Sequence, residues 1–133
     1  MKMCWFVTLV FLTCALTACG AGATPTPELL ATVPAEFDGQ TNPYGPEAAH
    51  QGAEIYKTYC ESCHGESGLG DGVAGATLVP PPKNLVELQS MVEDDYLFWR
   101  IQNGKTGTAM VAWKGILTDE QIWQVVSFIR TLM

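Results

Sequence analysis

Apolar residues recur at Ile122, Val125, Val126, Ile129 and Leu132, spacings of three and four that put them on one face of a helix. Thr118-x-x-Gln121 stands just before that run in the pattern of a capping box, so the helix is predicted to open there. A second helix is predicted over Glu47 to Tyr59, with Pro46 at a first helical position, where a missing N–H costs little. A third is predicted from a Ser90-x-x-Glu93 capping box to about Gln102, with Asn103-Gly104 as its stop. Between these runs the periodicity fails. Residues 65–82 hold five glycines and three prolines, and residues 104–117 show no repeat, so both read as loops. No stretch alternates with period two. The fold class is all-α, and loops this long in a small body need something to wrap around.

Upstream of residue 46 the pattern changes twice. Lys2 precedes an apolar run from Trp5 to Leu16, which meets small residues at Thr17, Ala18 and Cys19. A positive start, a short apolar stretch and a small-residue exit describe a secretory signal. A bilayer span takes about 20 apolar residues, so an uncleaved membrane helix is the weaker reading. Leu16-Thr17-Ala18-Cys19 also resembles the bacterial lipobox. That resemblance implies cleavage before Cys19, lipidation of Cys19, and anchoring on the extracytoplasmic (periplasmic) side of a bacterial membrane. From Gly20 to Pro46 come five prolines and little apolar periodicity, the mark of an extended, solvated tether. The expected organisation is a cleaved signal at 1–18, a lipidated Pro-rich tether at 19–45 and a compact domain at 46–133.

Composition narrows the partners. The chain has 133 residues, enough for one domain, with a formal charge of −7 and a pI near 4.6. Nucleic acid is excluded as a partner, because a phosphate-binding surface needs clustered Lys and Arg. Cleavage before Cys19 removes Lys2 and no acidic residue, so the exported chain is one unit more negative. Of five cysteines, Cys4 and Cys14 leave with the signal and only Cys60 and Cys63 lie in the body. A body this small needs a staple or a cofactor to hold it.

The chemistry is carried by Cys60-Glu61-Ser62-Cys63-His64. C-x-x-C-H reads as a c-type haem attachment site. Two thiols three residues apart can add to the two vinyl groups of one porphyrin, and the next residue, His64, is then held under the iron as a ligand. A zinc site wants four Cys or His ligands, commonly as two pairs, and the body offers no second C-x-x-C. A thioredoxin-like pair wants a strand–helix setting, whereas Cys60 follows a helical run. A simple disulfide explains neither His64 nor the long loops. Gly70-Asp71-Gly72-Val73-Ala74-Gly75 spells a dinucleotide-binding fingerprint, but no predicted strand precedes it.

From about residue 50 onward the chain resembles the class I c-type cytochromes. Gly52-x-x-x-Tyr56-x-x-x-Cys60-x-x-Cys63-His64-Gly65 is similar to the family's first helix, and Gly68-x-Gly70-Asp71-Gly72 to its glycine loop. Pro80-Pro81-Pro82-Lys83-Asn84-Leu85 is similar to its Pro-Asn-Leu, with Lys83 intervening. Tyr96 to Lys105 resembles its middle helix, Met110-Val111-Ala112-Trp113 its methionine loop, and Leu117 to Leu132 its last helix. The resemblance implies a cytochrome c-like fold of three to four helices around one covalent haem c. It implies Cys60 and Cys63 as the attachment cysteines, His64 as proximal ligand and Met110 as distal ligand. It further implies that the carbonyl of Pro82 (or Pro81) accepts the Nδ1–H of His64, that Gly52 permits a close helix crossing, and that Tyr56 packs near Val125 and Phe128.

Rival ligands are weaker. Met91 falls just inside the Ser90-capped helix and is expected to fill core, and His50 is expected on the surface, ten residues before Cys60. Asp94 and Asp95 suit a helix start. The implied function is a membrane-tethered single-electron carrier in a respiratory or photosynthetic chain, with redox proteins as donor and acceptor. Its layout is that of a lipid-anchored monohaem subunit of alternative complex III, a quinol-oxidising membrane complex. A haem enzyme or gas sensor with an open iron site is the alternative. With only Lys57, Lys83, Lys105 and Lys114 in the domain, a lysine-ring docking surface is not expected, so the partner is basic or is met through an apolar patch.

Overall fold

The computed structural model describes residues 30–133; the signal at 1–18, Cys19 and the first part of the tether lie outside the described residues. Among the described residues there are five α-helices: α1 (Ala49–Tyr59), α2 (Glu61–His64), α3 (Leu85–Met91), α4 (Asp94–Asn103) and α5 (Asp119–Ile129). Single 3-10 turns stand at Pro46–Ala48, leading straight into α1, and at Gly75–Thr77. The described residues contain no strand, only an isolated bridge between Lys114 and Leu117. The all-α expectation holds.

Helix α5 is the spine. Its predicted face is inside: Ile122, Val125, Val126 and Ile129 are buried and Leu132 is partly buried. The predicted Thr118 capping box is formed, with Gln121 N–H donating to Thr118 Oγ1 (3.2 Å) and Thr118 N–H to Gln121 Oε1 (2.9 Å). Helix α1 crosses α5 at Gly52, where backbone meets backbone and any side chain would intrude. Tyr56, one turn on, is buried with its ring centroid 4.9 Å from that of Phe128. Helix α4 packs on α5 through Phe98 stacked on Trp123 (4.1 Å, 22°). Arg130, just past α5, clasps the junction of α3 and α4. It bonds Asp94 Oδ1 (2.8 Å), the Val92 carbonyl (2.9 Å) and the Gln89 carbonyl.

The Ser90 capping box does not form. Ser90 lies in the last turn of α3 and its hydroxyl donates to the Glu87 carbonyl (2.7 Å), as serine readily does inside a helix. Helix α4 begins at Asp94 after an extended Glu93 that makes no capping bond. The cap that matters belongs to a helix the sequence pattern did not predict. Asn84 Oδ1 accepts from Val86 N–H (2.9 Å) and Glu87 N–H (3.2 Å) at the start of α3. Asn84→Ala is expected to lower unfolding free energy by about 1 kcal/mol, read as a lower denaturant midpoint at unchanged slope.

The Pro-rich stretch is not a free tether throughout. The compact unit begins at Ala31. The Pro34 carbonyl accepts from Phe37 (2.9 Å) and Asp38 (3.1 Å), a tight turn that sets Phe37 against Phe98 (6.2 Å). Gly39 N–H donates to Asp95 Oδ2 (2.8 Å), and Asn42 Nδ2 donates to the Trp123 carbonyl (3.1 Å) and Ser127 Oγ (2.9 Å). A strap over residues 31–45 thus lies along α4 and α5, moving the start of the folded body from 46 to 31. Asp95 is buried and accepts this strap bond, a role beyond favouring the helix dipole.

Candidate metal centre

Helix α1 ends at Tyr59, and the chain turns through Cys60 into the single turn of α2, with His64 N–H donating to the Cys60 carbonyl (2.9 Å). Cys60, Cys63 and His64 are therefore consecutive corners of one turn, all half-buried. The glycine-rich loop wraps this turn through backbone bonds: Gly70 N–H to the His64 carbonyl (2.8 Å), Gly72 to Cys63 (3.2 Å) and Ala74 to Ser62 (2.8 Å). A Cβ on Gly72 would come 2.4 Å from the Ser62 carbonyl oxygen, and one on Gly75 would come 2.5 Å from that of Cys63. The glycines serve this close approach, which accounts for the fingerprint-like spacing without a nucleotide. Tyr56 supports the turn from beneath, its buried hydroxyl donating to the Gly65 carbonyl (2.7 Å). Tyr56→Phe leaves that buried acceptor unpaired and is expected to cost about 1–3 kcal/mol, read as a lower thermal midpoint with the visible spectrum unchanged.

Both thiols are free. Burial, with the neighbouring Cys63 second, pushes the Cys60 thiol up to about 12. A redox-active C-x-x-C needs a thiolate stabilised at neutral pH, so this environment opposes the thiol-exchange reading. Among the described residues no group of three or more His, Cys, Asp or Glu side chains is placed to hold a metal ion by itself.

His64 Nδ1 lies 3.2 Å from a carbonyl oxygen, and that carbonyl belongs to Lys83, not to Pro82 or Pro81. This corrects the expectation. The lysine inserted between Pro82 and Asn84 carries the chain one residue further before the acceptor faces the ring, while the Pro82 ring packs over Gly75. A carbonyl can only accept, so Nδ1 holds the proton and Nε2 keeps its lone pair for a metal. Burial lowers the His64 pKa and the Lys83 bond partly offsets this, so the ring is a neutral donor at pH 7.

Met110 is held from two sides. Its N–H donates to Thr108 Oγ1 (3.2 Å) and its carbonyl accepts from Lys105 N–H (2.9 Å). The loop then returns to α4, with Trp113 N–H bonded to the Ile101 carbonyl (3.2 Å) and Lys114 N–H to that of Gln102 (3.0 Å). The Met110 side chain is partly buried against the core that Cys60 also joins. Trp113 meets Tyr59 edge to face (5.2 Å), so the methionine loop and the cysteine turn are neighbours. Met91, by contrast, ends α3 and is 62% exposed. It is not the core filler expected of it. His50 is exposed, about 15 Å along α1 from Cys60 by helix rise.

The donor set therefore fits a covalently bound haem: two free thiols on one turn, one imidazole with Nε2 free, and one thioether across a loop. Sequence reasoning missed Lys83, whose role is carried by a backbone atom.

Comparison with known proteins agrees with this chemistry. Residues 47–129 match the family described as Cytochrome C oxidase, cbb3-type, subunit III. The chain is 35% identical over 81 residues to cytochrome c6 of Synechococcus elongatus, covering 59% of this chain and 83% of that one. It is equally similar to cytochrome c6 of Thermosynechococcus vestitus (strain NIES-2133 / IAM M-273 / BP-1), covering 64% of that protein. The backbone is similar to the Kuenenia stuttgartiensis reducing HAO-like protein complex Kustc0457/Kustc0458, with TM-score 0.59 and 23% identity, over 68% of this chain and 47% of that one. It is also similar to the KustC0563 c-type cytochrome, with TM-score 0.50 and 24% identity, over 61% and 95% of the two chains. At those identities the structural likeness speaks for the fold alone.

Proposed function

Because the chain belongs to the class I c-type cytochromes, electron-transfer proteins carrying covalent haem c, we propose that it is a monohaem carrier tethered to the extracytoplasmic side of a bacterial membrane. In this reading Cys60 and Cys63 would hold the haem, His64 would bind its iron through Nε2, and Met110 would supply the second protein ligand. When bound, the haem supplies a one-electron couple between Fe(II) and Fe(III). The chain's own part is to hold, shield and tune it. The Lys83 carbonyl fixes the His64 tautomer and strengthens the donor. The glycine loop covers the attachment turn, and the Met110 loop brings a soft thioether, which favours Fe(II). The observation that carries the reading is the Tyr59–Trp113 contact, because it sets the methionine loop beside the cysteine turn. With His64 and Met110 both bound to the iron, no position would be left for substrate or dioxygen, which favours a carrier over an enzyme or gas sensor.

The anchor is Cys19, whose acyl chains suffice for stable attachment at about 0.8 kcal/mol per buried methylene. Among the described residues no helix is long and apolar enough to cross a membrane. The partners are redox proteins, and a fixed place in a quinol-oxidising membrane complex suits an anchored single-haem chain. The N-terminal peptide of the exported protein is expected to begin at Cys19 and to carry a diacylglyceryl thioether, read by mass spectrometry. A chain that begins elsewhere, or an unmodified Cys19, would contradict the lipid anchor. Mild detergent extraction of the unaltered protein is expected to recover multihaem and iron–sulfur subunits with it; recovery as a free monomer would leave the carrier and remove the complex.

A further inference from the structure

The loop that carries Met110 runs from Gly104 to Leu117 between α4 and α5 and holds no regular element beyond one isolated bridge. Its outgoing half folds on itself, with Lys105 N–H donating to the Met110 carbonyl (2.9 Å). Its returning half bonds back to the last turn of α4, Trp113 N–H to the Ile101 carbonyl (3.2 Å) and Lys114 N–H to that of Gln102 (3.0 Å). The chain then enters α5 at Asp119, straight after the Thr118 cap. At this neck the Gln102 side chain reaches across, its Nε2 donating to Asp119 Oδ1 (2.9 Å). Gln102 is 7% exposed, whereas Asp119 is exposed. Leaving a buried amide donor unpaired costs about 1–3 kcal/mol, so the Gln102 side chain is held to its partner. One residue therefore grips the neck twice. Its carbonyl takes the returning half of the loop, and its amide takes the first residue of the helix that follows.

We propose that Gln102 is a positioning residue for the second iron ligand: with Asp119 it closes the neck of the methionine loop and so holds the Met110 thioether in place. A loop with a loose exit swings its tip away at little cost, whereas a loop closed at its neck must first break the clasp. The grip matters most in the oxidised protein, because a thioether favours Fe(II) over Fe(III). The inference rests on the reading of Met110 as a ligand, and its test is made on purified haem-loaded protein with a variant that fails separately for each.

Imidazole competes with the thioether for oxidised iron, so its apparent affinity reads how often the loop lets go. In a spectroscopic titration, Q102L and D119A are each expected to bind imidazole about three- to tenfold more tightly than the unaltered protein, the equivalent of one hydrogen bond of ordinary net strength. The double variant is expected to match the single ones, because both remove the same bond. D119N keeps an oxygen for the Gln102 N–H and is expected to behave as the unaltered protein. N42A removes the strap bonds to Trp123 and Ser127, and is expected to lower the thermal midpoint without moving the imidazole affinity. Unchanged affinity in Q102L and D119A, or an equal gain in N42A, would overturn the clasp. M110L is expected to bind imidazole more tightly than any of these. Equal affinity in M110L and the unaltered protein would remove Met110 as a ligand, and the clasp with it. Should Q102L fail to mature, D119A and D119N decide, since Asp119 is exposed.

Discussion

Met110→Leu is expected to lower the reduction potential sharply and to let carbon monoxide bind the reduced protein, with little loss of fold. Leucine matches methionine in volume and polarity, and such swaps in packed positions usually cost under about 1.5 kcal/mol. The loop is also held independently of the side chain, through Thr108 Oγ1, Lys105 N–H and the Trp113–Ile101 backbone bond. What disappears is the thioether. Axial ligand identity moves haem potentials across about 0.8 V, and a thioether raises the potential by favouring Fe(II), so its loss takes back a sizeable part of that span. Voltammetry and carbon monoxide titration read both effects. Met91→Leu is the control, because Met91 is exposed at the end of α3 and its replacement should move neither. Equal potentials in M110L and the unaltered protein would remove Met110 as a ligand and leave the rest of the site standing.

Gly52→Val is expected to be the most damaging substitution outside the haem-binding residues. A Cβ at residue 52 would lie 1.9 Å from the Gln124 carbonyl oxygen, 2.5 Å from its carbon and 3.0 Å from Phe128 Cβ. Two of those atoms are helix backbone and cannot step aside alone, so α1 and α5 must separate. That separation would open the packing around Tyr56, Val125 and Phe128, and it would tilt the turn carrying Cys60, Cys63 and His64. Overpacking of this kind costs about 3 kcal/mol or more. The expected readout is a much reduced yield of haem-loaded protein and a large fall in thermal midpoint. Gln51→Ala, on the exposed side of the same helix, should change stability by no more than about 0.5 kcal/mol. A G52V protein that melts with the unaltered one would show that the crossing is looser than these distances imply.

The parts of this fold readable from sequence are those where one local signal has one physical meaning. The α5 face and the Thr118 box are such signals, since spacing, cap and burial coincide. Cys60-x-x-Cys63-His64 is another, because three donors on one turn serve one cofactor. Where a pattern admits two uses, reading it fails. Ser90 can cap a helix or bond back within the one before it, and α3 takes the second course because Asn84 starts it earlier. The strap was hidden because Phe37 and Asn42 are single anchors with no period, each meeting a partner far along the chain. The Lys83 contact was hidden because a backbone carbonyl carries no residue signature, and one inserted residue moved the acceptor by one place.

The most direct test is the intact mass of the exported protein, measured under denaturing conditions with an alkaline pyridine haemochrome spectrum of the same sample. The mass is expected to exceed that of the polypeptide and its lipid by one haem, with the spectrum of a ring joined by two thioethers and with Cys60 and Cys63 closed to alkylation. A mass lacking that increment, with both cysteines open to alkylation, would contradict the account at its centre.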